Sequence, residues 1–242
     1  MSLYSIADLH LSTTANKPMD VFGSRWTDYA AKLEKYWRAI VTDEDTVVVP
    51  GDISWAMTLE EAEADFRFIN SLPGKKLIGK GNHDFWWATM SKMTAFMADH
   101  KFSSIGFLYN NAVETDDYII AGSRGWFVEE KQQNTLNETD YDKIVAREDQ
   151  RLRISLDAAA KLREATGKPI LAYFHFPPVF KAFVCEPIVN TLKEYGITNV
   201  YYGHIHGVYN IPRTRTYEGI KFTIISADYL GFIPMITMPD AY

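Results

Sequence analysis

Seven short apolar runs, at residues 3–7, 46–49, 76–78, 118–121, 170–174, 199–202 and 222–225, each break off into turn-forming or polar residues. Runs this short, rich in β-branched and aromatic side chains, read as buried strands rather than helices. The segments between them carry helical periodicity. Residues 26–41 place Trp26, Ala30, Leu33, Trp37 and Ile40 on one face. Residues 58–72 open with Thr58 and Glu61 at capping-box spacing and continue with Leu59, Ala62, Phe66 and Ile69 in helical register. Met90, Met93, Phe96 and Met97 indicate a third helix, 141–165 a long one, and 187–195 a short one framed by Pro187 and Gly196. Strand–helix alternation of this kind predicts a layered α/β fold with central β-sheets flanked by helices. After His206 the runs 208–211, 222–225 and 232–238 read as antiparallel additions. The 242 residues fit one domain, large enough to bury its own core.

The residues that end these runs point to a site. Asp8 and His10 follow the first run, Gly51 and Asp52 the second, Asn82, His83 and Asp84 the third, His175 the fifth, and His204 and His206 the sixth. Open α/β sheets place their sites at the C-terminal ends of strands, and these side chains are of metal-ligating type. Five of the six histidines fall there; only His100, at the end of a helix, stands apart. In an extended chain residues i and i+2 point the same way. Asp8 and His10 are therefore expected to grip one ion together, and His204 and His206 to grip neighbouring ions. Gly51, Gly81 and Gly203 are expected to let the backbone turn where each strand stops.

Composition narrows the chemistry. The single cysteine, Cys185, permits neither an intrachain disulfide nor a thiolate cluster, so His, Asp, Asn or Glu must ligate, and Mn, Fe, Zn or Co would suit them. A formal net charge of −6 argues against a broad nucleic-acid surface. No apolar run reaches the length of a membrane span, and the opening residues lack the early Lys or Arg of a signal peptide. A cytoplasmic protein is expected.

In their order along the chain, Asp8-Leu9-His10, Gly51-Asp52, Gly81-Asn82-His83-Asp84, His175 and Gly203-His204-Ile205-His206 resemble the blocks of the calcineurin-like metallophosphoesterases. The resemblance implies a dinuclear site at the C-terminal strand ends, holding two divalent or trivalent ions (Mn, Fe or Zn). It gives Asp8, His10, Asp52 and His206 to the first metal and Asp52, Asn82, His175 and His204 to the second, with Asp52 bridging. It makes His83 the catalytic histidine beside the scissile phosphate and Asp84 the acid that orients it. The implied reaction is hydrolysis of a small-molecule phosphate mono- or diester by in-line attack of a hydroxide held between the metals. A nuclease of the same fold, or a binding module that kept the fold without catalysis, are the competing readings.

Three further features sit near that edge. Arg124 follows the run 118–121, where a guanidinium either forks onto a substrate phosphate or makes a surface ion pair. Trp86, Trp87 and Trp126 either stack on a ligand or belong to the core. The polar stretch 127–142 is long for a simple connection and is expected to cover the active site.

Overall fold

All seven apolar runs contain strands. The computed structural model describes residues 1–15, 17–127 and 138–238. In chain order its elements are β1 (Leu3–Ser5), α1 (Tyr29–Ile40), β2 (Thr46–Val49), α2 (Glu63–Ser71), β3 (Lys75–Ile78), α3 (Met90–Asp99), β4 (Ile105–Phe107), β5 (Val113–Glu114), β6 (Ile119–Ser123), α4 (Glu138–Thr166), β7 (Ile170–Phe174), β8 (Val179–Phe180), β9 (Phe183–Val184), α5 (Glu186–Glu194), β10 (Asn199–Tyr202), β11 (Thr214–Tyr217), β12 (Ile220–Ile224) and β13 (Met235–Ile236). One sheet has the order β13-β1-β2-β3-β4 and a second the order β11-β12-β10-β7-β6-β5, while β8 and β9 form a hairpin. The long neighbours pair in parallel; β13, β11 and β5 add antiparallel edges.

Strand periodicity builds three cores. Val47 and Val49 pack with Leu33, Trp37, Phe66 and Met93 under the first helix layer. Val48 and Leu77 pack instead with Ile120, Leu171, Tyr173 and Tyr201 between the sheets. On the far side Ile170, Ala172 and Phe174 meet Leu152 and Leu156 of α4 and Ile188 and Leu192 of α5. Both faces of each central strand are covered, which is why the runs lack polar gaps. Each fully buried aliphatic contributes about 1.5–3 kcal/mol relative to exposure. One polar link crosses the sandwich: the Ser5 hydroxyl lies 2.9 Å from that of Tyr173 and 2.6 Å from that of Thr237.

Several expectations need correction. β12 pairs antiparallel with β11, as expected, but in parallel with β10, because the turn at residues 218–219 reverses the chain between β11 and β12. Residues 208–211 form no strand, and of 232–238 only Met235–Ile236 pairs. Half of the Thr58 capping box is present: Glu61 N–H donates to Thr58 Oγ1 at 3.2 Å, but the Glu61 carboxylate accepts from Met57 N–H (2.9 Å), and the α-helix proper starts at Glu63. Of the expected covering stretch 127–142, residues 128–137 lie outside the described residues. From Glu138 the chain is already helical, so the end of that stretch is the first turn of α4. Among the described residues no helix is long and apolar enough to cross a membrane.

Candidate metal centre

The two sheets are joined at one edge by backbone hydrogen bonds. Ala7 N–H donates to Ile225 O (2.7 Å) and Ala227 N–H to Ala7 O (2.9 Å), so the end of β1 runs into the end of β12. Just beyond, Asp8 N–H donates to Gly51 O (3.1 Å) and His10 N–H to Asp52 O (2.9 Å). The loops carrying the expected ligands are thereby laced together. Close approach explains two glycines. A Cβ on Gly203 would stand 2.6 Å from Ala7 Cβ and 2.7 Å from Asp8 Oδ2, and a Cβ on Gly81 would collide with the Asp52 carboxylate. Only Gly51, at φ +106°, serves the turning role expected of all three.

Asp8 (φ 61°), His10 (46°), Asp52 (52°) and His204 (69°) are left-handed. Asp8 and His10 therefore do not share a face by lying in extended chain, as expected; a tight left-handed turn aims them. Non-glycine residues held there cost about 1–3 kcal/mol each, and such strain concentrates at functional sites.

The side chains converge. His10 Nε2 lies 3.2 Å from His206 Nε2 and 3.6 Å from Asp52 Oδ2. The same Asp52 oxygen is 3.6 Å from His175 Nε2, which is 2.6 Å from Asn82 Oδ1. His175 Nδ1 lies 3.5 Å from Asp8 Oδ1. Asp8, His10 and His206 form one set whose ligand atoms lie within 4.8 Å of one another; Asp8, Asp52 and His175 form a second. Asp8 thus reaches both sets, a sharing that the expected assignment gave to Asp52 alone. His204 falls in neither set. Its ring packs 5.2 Å from that of His175 and 4.6 Å from that of Phe176, and its N–H donates to Asp8 Oδ2 at 2.8 Å.

The electrostatics describe a site short of positive charge. Burial pushes the Asp8 carboxyl up to about 6 and Asp52 well above the usual carboxylate range. Burial and the neighbouring imidazoles hold His10 and His175 far below the ordinary histidine value and bring His204 down to about 3. Asp8 Oδ1, Asp52 Oδ2 and His175 Nδ1 are buried without hydrogen-bond partners. Unpaired buried carboxylate oxygens are costly, and neutral imidazoles beside them offer lone pairs. The donor set therefore fits divalent cations with oxygen and imidazole preference.

His83 stands apart from the ligands. Its N–H donates to Asp52 Oδ1 (2.8 Å), while its ring packs on Trp55 at 4.1 Å between centroids and on Phe85 at 6.1 Å. Burial lowers its pKa to about 4, so the ring is neutral at pH 7. Nδ1 is buried and unpartnered, which leaves Nε2 to meet a ligand. Asp84 does not orient this ring, as the resemblance implied. Its carboxylate accepts from Gly81 N–H (2.7 Å), Ile53 N–H (2.8 Å), Asp52 N–H (2.9 Å) and Trp86 Nε1–H (3.0 Å). It binds the Asp52 loop to the Asn82 loop, and backbone donors consume its oxygens.

Asp228 is a site residue that the motif reading missed. Its Oδ1 is 2.9 Å from His206 Nδ1, and its Oδ2 accepts from Gly207 N–H (3.0 Å) and the Tyr209 hydroxyl (2.9 Å). Burial opposes its charge, but these donors outweigh burial and hold its pKa low; burial likewise opposes the His206 cation, and Asp228 outweighs it and raises that imidazole. The available signal was an Asp just after the seventh apolar run, the same pattern that marked Asp52.

Of the two roles considered for Arg124, the structure shows an ion pair, made to a buried carboxylate rather than at the surface. Its Nη2 lies 3.8 Å from the buried Glu148 carboxylate, which also takes Arg151 at 2.6 Å. Its carbonyl accepts from Phe176 N–H (2.9 Å), so it stands beside His175, and Lys80, Arg124 and Arg151 line a small cavity there. Trp86 is core, edge-on to Phe66; Trp87 packs on Phe107; Trp126 packs near Phe176.

The model of a family described as calcineurin-like phosphoesterase matches residues 1–208, which includes every block except the Asp228 segment. No curated protein matches the chain significantly. Among solved structures, an Aquifex aeolicus protein of unknown function aligns over 97% of this chain and 95% of its own, with TM-score 0.51 and 14% identity. A protein of Thermus thermophilus aligns over 94% of this chain and 89% of its own, with TM-score 0.56 and 12% identity. At such identity these likenesses concern the fold alone.

Proposed function

The chain belongs to the calcineurin-like phosphoesterase family, and from that premise we propose that it hydrolyses small-molecule phosphate mono- or diesters with bound divalent metal. The observation that carries this reading is Asp52 Oδ2: buried, without a donor, and 3.6 Å from both His10 Nε2 and His175 Nε2. A carboxylate oxygen placed between two imidazoles is what two neighbouring cations would draw together. Asp8, His10, Asp52 and His206 would hold one ion and Asp52, Asn82, His175 and His204 the other, with Asp8 in reach of both. Such ions would stabilise the negative phosphoryl oxygens and lower the pKa of water toward ~7.

The chain's own residues supply the rest. His83 Nε2 hydrogen-bonds a phosphoryl or leaving-group oxygen, and because the ring is neutral it places that oxygen before any proton moves. Trp55 and Phe85 hold the ring in place. Asp228 accepts the Nδ1 proton of His206 and so turns its Nε2 toward the ligand set, as acids behind ligating histidines do. Asp84 fixes the distance between the Asp52 and Asn82 loops. Arg124, beside His175, is positioned to meet a substrate oxygen with the donors that Glu148 leaves free.

Protein supplied with Mn²⁺ is expected to retain metal and to hydrolyse p-nitrophenyl phosphate, bis-p-nitrophenyl phosphate or both. Metal retention without turnover of either ester would sink the enzymatic reading in favour of a binding module. Faster cleavage of single-stranded polynucleotide than of both esters would make it a nuclease.

A further inference from the structure

A cleft opens directly onto His83 and His206, and its wall is built from Met19, Phe22, Trp26 and Trp55. Among the described residues that line it, none is Lys, Arg, Asp or Glu. One cation borders this wall, Lys17, whose Nζ sits 4.4 Å from the Trp55 ring centroid; the Arg25 guanidinium lies 3.7 Å from the ring centroid of Tyr209. The wall also lacks spare polar atoms on Trp55, whose Nε1–H is directed to Met19 Sδ at 3.2 Å. Trp26 is buried, held edge-on by Tyr29 and Phe232, so the wall is rigid. Phe22 is the exception: it lines the cleft yet is 57% exposed, beside Val21 at 71%. An exposed aromatic at the mouth of a concave apolar site is the usual sign that a ligand completes the packing.

We infer that this wall receives the leaving group of the substrate, and that the leaving group is a flat, apolar moiety of aryl type. The inference rests on the phosphoesterase reading, which places the phosphoryl group against His83. From there the path of a leaving group along this cleft passes between Trp55 and Phe22. A leaving group without an apolar face, such as a further phosphate, would leave Met19, Phe22 and Trp26 uncovered. A nucleobase would leave its ring donors and acceptors unpaired, at the cost that any buried polar group incurs. A bare aromatic ring loses nothing and gains face or edge contacts with Trp55 and Phe22.

The test uses the full chain loaded with Mn²⁺ and two readouts. Calorimetry compares 2-naphthylphosphonate, phenylphosphonate and methylphosphonate, which bind without turnover. Kinetics compare 2-naphthyl, phenyl and methyl phosphates. The naphthyl phosphonate should bind at least ten-fold more tightly than the methyl one, and the naphthyl ester should show the lowest KM. Phe22→Ala should weaken naphthylphosphonate roughly 5–30-fold, the equivalent of burying one aromatic face, and leave methylphosphonate within two-fold of wild type. Phe22→Leu should recover part of the loss. Equal affinity for the three phosphonates, or an equal effect of Phe22→Ala on all of them, overturns the aryl pocket. Hydrolysis of none of the esters by metal-loaded protein is a different failure: it overturns the phosphoesterase reading, while the phosphonate series still decides whether the wall selects aromatic groups.

Discussion

His83 hydrogen-bonds the ligand set through its backbone N–H, and its ring packs beside that of His10 at 5.6 Å between centroids, so its side chain can be removed without taking a ligand away. His83→Ala should leave metal content near wild type and lower kcat about 10²–10³-fold, the usual worth of one donor aimed at developing negative charge. Because the neutral ring places the oxygen rather than protonating it, the loss should be similar on p-nitrophenyl and alkyl phosphates. A loss that shrinks for leaving groups that need no proton would show instead that His83 acts as a general acid. The position of His83 at the sheet edge was legible from its place after an apolar run. Its actual supports were not, because Trp55 approaches from the β2 loop and Asp84, its sequence neighbour, turns away to bind N–H groups of that loop and of its own.

The turns after the strands set how closely ligands approach, and β10 offers a clean probe. Gly203 is not left-handed; it is glycine because Ala7 and the Asp8 carboxylate leave no room for a Cβ. Gly203→Ala should displace Asp8, cost about 1–3 kcal/mol as an overpacked contact does, and weaken metal binding. Gly219, at φ +81° with nothing within 4 Å, supplies the control: Gly219→Ala carries backbone strain alone and should leave metal affinity unchanged. If both variants weaken metal equally, close approach at Gly203 is not the cause.

β3 carries a second element-level liability. Lys76 is fully buried, and its ammonium donates to Leu72 O (2.5 Å) and Gly74 O (2.7 Å) at the turn from α2. Burial lowers its pKa from 10.5 to about 8. The unfolded chain thus binds this proton more tightly than the folded one, and stability rises with pH from about 8 to 10.5 by up to ~3 kcal/mol. Urea unfolding at pH 7 and pH 9.5 should show wild type gaining stability relative to Lys76→Met between the two. Parallel pH profiles for the two proteins would show that Lys76 keeps an ordinary pKa.

For the molecule as a whole the metal centre is a seam. Asp8, His10, Asp52 and Asn82 follow strands of the first sheet, while His175, His204 and His206 follow strands of the second. Bound ions would therefore staple the open edge of the sandwich. Ligand at about 100 times its Kd stabilises by about 2.7 kcal/mol, and for a chain of this size ~2–4 °C accompanies each kcal/mol. Chelation should lower Tm by roughly 5–10 °C. Asp52→Asn, lacking the carboxylate oxygen that lies 3.6 Å from both His10 and His175, should lose most of the rise on adding Mn²⁺. A Tm that chelation leaves unmoved would mean that the ions do not hold the two sheets together.

What the sequence determined by itself was local. Each apolar run specifies a strand buried on both faces, and each polar residue directly after a run specifies a group delivered to the sheet edge; both facts depend only on neighbours within a few residues. That sufficed for the layered architecture and for seven ligand-type side chains at strand ends. What the tertiary structure decided depends on contacts between segments far apart in the chain. The left-handed turns at Asp8, His10, Asp52 and His204 are imposed by lacing between the loops, against the intrinsic preference of those residues. Asp228 reaches His206 only because β12 pairs in parallel with β10 and runs on beside β1. The apolar wall joins Phe22, Trp26 and Trp55 from separate segments that no periodicity links; Trp26 and Trp55 pack against the His10 ring, while Phe22 stays exposed at its mouth.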